Sequence, residues 1–153
     1  MTQPHDDEVK TTRTMQRRLF AAPDFDTFVK DNGPLEEPPQ LNRYLTNLCQ
    51  QHGLTVSESI RRSGVDRTYG YQLFNGTRQP SRDKLLQLAF GLGLTVEETQ
   101  QMLKTARKPL LYPLILRDAA ILRCLNDRQT WMETQELLSR LELTLLGGED
   151  THE

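Results

Sequence analysis

The chain has 153 residues, of which 36% are hydrophobic, 7% aromatic and 26% charged, the balance of a polypeptide with one modest core plus a tail. No apolar run approaches the roughly 20 residues needed to span a bilayer. The opening MTQPHDDEVK has no apolar stretch of the signal-peptide kind, so a cytoplasmic protein is expected, with no membrane partner. A net charge of −2 and a pI near 5.9 argue against a polyanionic partner only on average. Residues 1–39 carry five Lys/Arg against eight Asp/Glu, and residues 105–153 carry six against eight. Between them, residues 59–84 hold Arg61, Arg62, Arg67, Arg78, Arg82 and Lys84 against Asp66 and Asp83, a net of +4.

Residues 1–39 are expected to form a mobile acidic tail, since residues 1–23 have too few apolar positions for a core of their own. Within it, Asp24 is placed to cap a short helix that carries Phe25, Phe28 and Val29 and ends at Gly33-Pro34. Pro38-Pro39 marks a boundary. Leu41, Tyr44, Leu45, Leu48 and Cys49 then recur at i, i+3, i+4, i+7 and i+8, the stripe of an amphipathic helix, with Gly53 where a C-terminal cap falls. Thr55 with Glu58, Thr95 with Glu98 and Thr130 with Glu133 each spell a capping box, and Asp66 and Ser81 are further N-cap residues. Helices follow at about 55–63, 66–75, 81–91, 95–106, 113–126 and 130–142, and no alternation is long enough to argue for a strand. An all-α fold is expected.

The turn between two of these helices carries the chemistry. Gly64 permits positive φ, Val65 plugs the angle between crossed helices and Asp66 caps the next helix, so two short helices meet at a fixed angle and one face of the second is left free. Ser63-Gly64-Val65, the helix end at Asn75-Gly76, the NGTRQPS loop with Pro80, and the run Leu85, Leu86, Leu88, Ala89, Leu92, Gly93, Leu94 leading to Thr95 together resemble the Cro/CI-type (XRE) helix-turn-helix family over about 60 residues. The resemblance implies a five-helix DNA-binding domain over 40–107 whose second motif helix lies in the major groove of double-stranded DNA. In that register Tyr69, Gly70, Leu73 and Phe74 face inward, and Arg67, Thr68, Tyr71 and Gln72 face the bases. Arg67 is placed to read guanine, Gln72 adenine, and Thr68 or Tyr71 a thymine methyl or a phosphate. Asn75, Thr77, Arg78 and Arg82 match positions where the family holds phosphates, and Arg61, Arg62 and Lys84 add to electrostatic docking. Four positions depart from the family pattern: Val56 where Gln is common, Ser59 where Leu is usual, Gly70 in place of Ile or Val, and Phe74 in place of Glu. Glycine inside a helix costs roughly 1 kcal/mol relative to alanine, so Gly70 is expected to soften the reading helix.

Residues 108–146 are expected to extend this domain as a leucine-rich helical hairpin, with twelve leucines between 109 and 146. Leu114, Ile121, Leu122 and Leu125 mark one apolar face, and Trp131, Leu137, Leu138 and Leu141 a second. The hairpin either packs on its own helix-turn-helix unit, pairs two copies of the chain, or binds another protein. Residues 147–153 are expected to be a disordered tail.

Cys49 and Cys124 lie too far apart in sequence for a CxxC pair and read as reduced core residues. Ser81-Arg82-Asp83-Lys84 spells S-x-x-K without its companion signatures, and His5, His52 and His152 are too scattered for a metal set. Neither an enzyme nor a cofactor or metal site is expected. The function implied is that of a bacterial transcriptional regulator acting as a homodimer on DNA. The alternative is an adaptor that leaves DNA untouched and regulates a protein partner, such as a toxin or kinase, through the hairpin.

Overall fold

The computed structural model describes residues 12–35 and 40–147, and expectations for residues 1–11, 36–39 and 148–153 lie outside them. The chain divides into two units, Met1–Pro38 and Pro39–Glu153. All regular elements among the described residues are helices.

The first unit contains α1 (Thr12–Ala21) and α2 (Phe25–Asn32). The segment expected as a mobile tail through residue 23 carries one helix, α1. Its sequence TRTMQRRLFA has no Gly or Pro, which leaves propensity unopposed, and Arg18 bonds Asn32 on α2 at 3.2 Å. Asp24 caps α2 through the Thr27 N–H at 2.7 Å, as its residue type predicts. Phe28 is buried, whereas Phe25 is 62% exposed, so the expected apolar side is narrower than the sequence suggested.

The second unit runs through α3 (Leu41–Gln51), α4 (Val56–Ser63), α5 (Arg67–Asn75), α6 (Arg82–Leu92), α7 (Val96–Thr105), α8 (Leu116–Asn126) and α9 (Trp131–Arg140). Thr55, Asp66, Ser81, Thr95 and Thr130 each cap a helix by accepting a backbone N–H three residues on. At Thr95 and Thr130 the glutamate completes the box by accepting the cap's own N–H. At Thr55 it does not: Glu58 accepts instead from the Thr55 hydroxyl at 3.0 Å. The core is continuous, centred on α6 with Leu85, Leu86, Leu88 and Ala89 fully enclosed and Leu45, Met102, Leu103, Ile121 and Leu138 converging on it. The hairpin thus packs on the helix-turn-helix body. Cys49 and Cys124 are buried free thiols, and burial pushes the Cys49 thiol above its usual range despite a hydrogen bond with Ser59.

Helix α8 starts at Leu116, three residues later than expected, with no side-chain cap on Ile115. Leu114 therefore stands in the preceding turn, 81% exposed, instead of joining the apolar face that Ala120, Ile121, Cys124 and Leu125 form. On α9 only Leu138 of the four expected apolar residues is fully enclosed, and Leu141 is 40% exposed.

The α8–α9 hairpin repeats the α6–α7 hairpin 35 residues on, a relation visible first in its hydrogen bonds. Arg82 grips both Asp118 oxygens at 3.1 and 3.0 Å and donates to the Pro109 and Leu110 carbonyls. Arg117 grips both Asp83 oxygens at 3.1 and 2.8 Å and donates to the Thr144 and Leu145 carbonyls. Asp118 also accepts the Tyr112 N–H, and Asp83 the Gly147 N–H. Gln100 closes a two-bond ring with the Leu111 backbone, and Gln135 does so with Leu146. Left-handed backbone recurs at the same interval, at Gly93 and Arg128 and again at Arg107 and Glu142. Each arginine fastens its own hairpin's exit loop and the other hairpin's aspartate, so the two halves are locked reciprocally.

Burial by itself raises the Asp118 carboxyl, but the Arg82 and Tyr112 hydrogen bonds and the charges of Arg82 and Arg117 outweigh it and hold the group below the usual carboxylate range. A depressed folded-state pKa contributes stability that is complete above the unfolded value near ~3.9 and is lost as pH falls through the folded value. Chemical denaturation at neutral pH should show Asp118→Ala destabilised by about 2–3 kcal/mol, because the Arg82 guanidinium loses a charged bidentate partner. The same titration carried from pH 5 towards pH 3 should show the loss of stability on acidification shrinking in the variant.

Candidate nucleic-acid interface

Helix α5 is held by its inner face. Gly70, Leu73 and Phe74 are buried, and Tyr69 is half-buried. Arg67, Thr68 and Tyr71 are exposed, and Gln72 is half-buried. The turn before it has Gly64 at φ +71, the left-handed region that suits glycine, and Val65 buried beneath. A Cβ at Gly64 would run into the Trp131 ring, so α9 closes directly on this turn.

Two of the four departures from the family pattern have a structural explanation. A Cβ at Gly70 would stand 2.7 Å from Cγ1 and Cγ2 of Ile60. The glycine is thus where α4 and α5 approach closely, its softness offset by the isoleucine it admits. Ser59 is buried, and its hydroxyl is satisfied by the Thr55 carbonyl at 2.9 Å and the Cys49 thiol at 3.2 Å.

Around the outer face the cations are organised by aromatic rings. Arg67 lies 5.9 Å from the Tyr71 ring centroid. The Tyr69 ring carries Arg78 at 4.8 Å and Lys84 at 5.7 Å, and its hydroxyl accepts the Ser81 N–H at 3.4 Å. Tyr69 thereby ties α5 to the loop and to the start of α6, a role that its inward position in the motif did not reveal. Arg78 donates from Nε to the Gln72 Oε1 at 2.9 Å, which orients the Gln72 amide before any ligand arrives. The Asn75 side-chain oxygen, Oδ1, accepts from both the N–H and the hydroxyl of Thr77, at 2.9 and 2.7 Å, shaping the turn that presents Arg78.

Thr68, Gln72, Arg78 and Lys84 share one open cleft with Asp66. Arg61, Arg67 and Tyr71 line a second, on the other flank of the same helix. Two residues expected with them are elsewhere. Arg82 spends its guanidinium on Asp118 and two carbonyls, because the repeat needs it as a clasp. Arg62, one helix position from Arg61, lines a cleft with Leu94, Arg128 and Trp131, since adjacent helical residues point about 100° apart. Of the six cations in residues 59–84, four therefore surround α5.

Residues 40–102 match the family of helix-turn-helix domains. No curated protein and no solved structure matches the chain. Among the described residues no helix is long and apolar enough to cross a membrane.

Gly70→Val, which restores a residue usual for the family, should lower the thermal midpoint. Overpacking against Ile60 costs about 1–3 kcal/mol, against roughly 0.5 kcal/mol gained in helix propensity. The paired change Gly70→Val with Ile60→Ala should recover part of the loss in the same melting experiment.

Proposed function

We propose that this chain, which carries a helix-turn-helix domain at residues 40–102, is a Cro/CI-like, sequence-specific regulator that lays α5 in the major groove of double-stranded DNA. The observation that carries this reading is the outer face of α5. Arg67, Thr68, Tyr71 and Gln72 stand on one side of a helix whose other side is locked into the core, with Arg61, Arg78 and Lys84 around them. A guanidinium suits the two acceptors of guanine, and a side-chain amide suits adenine's paired donor and acceptor. Gln72, already held by Arg78, meets such an edge with less ordering cost. Arg61, Arg78 and Lys84 supply phosphate neutralisation, Asn75 and Thr77 shape the backbone turn beside it, and Arg82 supports the site by fastening α6 instead of touching phosphate.

The reading places the protein in a bacterial cytoplasm as a non-enzymatic transcriptional regulator that works as a homodimer, matching two-fold symmetry to a two-half-site operator. A second reading, an adaptor that regulates a protein partner, is favoured by one feature. Leu110, Tyr112, Leu114, Ile115 and Leu116 are each 48–81% exposed on a segment whose backbone is pinned by Arg82, Gln100 and Asp118. A fixed apolar surface of this kind suits a protein contact.

Selection of random duplex DNA by the full chain, followed by sequencing of what is retained, decides between the two. Enrichment of a palindromic motif supports the first reading. Arg67→Ala should weaken binding by about 1–3 kcal/mol and relax preference at one base pair. With about four cations engaged per chain, log Kd should vary with log salt with a slope of about 3–4 per chain, and Lys84→Ala should lower it by about 1. Retention that is independent of salt, or equal to that of an Arg67→Ala, Gln72→Ala control, moves the function to the adaptor.

A further inference from the structure

Ala89, Phe90 and Leu94 from α6 and its exit turn meet Leu125 of α8 and Trp131 of α9 around a cleft of about 250 Å³. Its floor is apolar, and two guanidinium groups from distant parts of the chain reach its rim, Arg62 from α4 and Arg128 from the α8–α9 turn. Arg128 has left-handed backbone, φ +58, and its Nη1 is tied to the Gly93 carbonyl at 3.0 Å, so its charge is held in place. Among the described residues no carboxylate pairs with either arginine, and none lines the cleft. Two like charges brought to the rim of one cleft repel each other, a cost that an anion removes.

We infer that this cleft binds a small organic monoanion, a carboxylate on an apolar body, with Arg62 and Arg128 holding the carboxylate and the Trp131 ring and the edge of Phe90 covering the hydrocarbon. The volume is below that of pockets for drug-sized ligands, which limits the ligand to a short-chain or single-ring acid. The position gives such a ligand a route to the reading helix. Trp131 is one wall of the cleft, and its ring also lies against Gly64, the left-handed residue of the turn that fixes the α4–α5 angle. A ligand that moves the ring moves the support under that turn. The regulatory half of this inference rests on the DNA-binding reading, and the binding half does not.

Trp131 is the sole tryptophan in the chain, so its emission reports the cleft directly. The full chain is titrated with hexanoate and cyclohexanecarboxylate, with hexanamide as the uncharged control and inorganic phosphate as the anion without an apolar body. A saturable change in Trp131 emission with a carboxylate is expected, weaker by about ten-fold or more with the amide and with phosphate. Arg62→Gln and Arg128→Asn should each weaken carboxylate binding by a similar factor. Arg62 is exposed and asparagine tolerates left-handed backbone, so both variants should keep the parent's circular dichroism. No saturable change with either carboxylate, equal response to the amide or to phosphate, or two folded variants that bind as well as the parent overturns the site. A second arm repeats duplex retention with saturating carboxylate. A several-fold change supports an effector role, and unchanged retention overturns it. Saturable Trp131 titration in a protein that retains no DNA supports the site and overturns the DNA reading instead.

Discussion

The reciprocal grip of Arg82 on Asp118 and of Arg117 on Asp83 is the constraint on which the rest of the second unit depends. Each guanidinium spans three partners at once, a carboxylate and two carbonyls, and so joins the first turn of one helix to the exit loop of the next helix and to the first turn of the other hairpin. Planar guanidinium geometry makes this possible, since five fixed donors serve two bidentate tasks that a lysine cannot. The arrangement satisfies loop carbonyls and two largely buried aspartates without water and leaves the hairpins' apolar faces to share one core.

The consequence for the site is a redistribution of charge. The basic stretch in residues 59–84 reads as one surface when it is counted along the chain, but the fold sends its members three ways. Arg61, Arg67, Arg78 and Lys84 stay with α5, Arg82 becomes a clasp, and Arg62 turns to the cleft beneath Trp131. What remains around α5 is a small set of cations, several of them laid on tyrosine rings. Tyr69 does more here than its sequence position suggested, since one ring positions two cations and a loop N–H.

The helices and their starts were legible because they depend on neighbours in sequence. A threonine or aspartate followed at the right spacing by a free N–H caps a helix in nearly any context, and Thr55, Asp66, Ser81, Thr95 and Thr130 all do so. The 35-residue repeat is also written in the chain. Arg-Asp stands at 82–83 and 117–118, T-x-x-E-T-Q at 95–100 and 130–135, and Leu-Leu at 110–111 and 145–146. Most core residues between these marks differ, Leu103 and Leu138 apart, so the likeness is carried chiefly by polar clamps whose purpose shows only once their partners are known. The start of α8 was misplaced because Leu114 and Ile115 look like core in any apolar count, while backbone bonds to Gln100 and Asp118 hold the preceding residues in an extended exit loop.

By itself the sequence determined the helical class, the capped starts of most helices, the glycine turn between α4 and α5, and which residues of α5 face outward, all of which follow from local sterics and from a 3.6-residue period. Only the tertiary structure decided which arginines are available to a ligand, why Gly70 stands against Ile60, and that Trp131 closes on Gly64. The physical reason is that a side chain's charge or bulk is committed by whatever partner the fold brings within a few ångströms, and those partners lie tens of residues away along the chain.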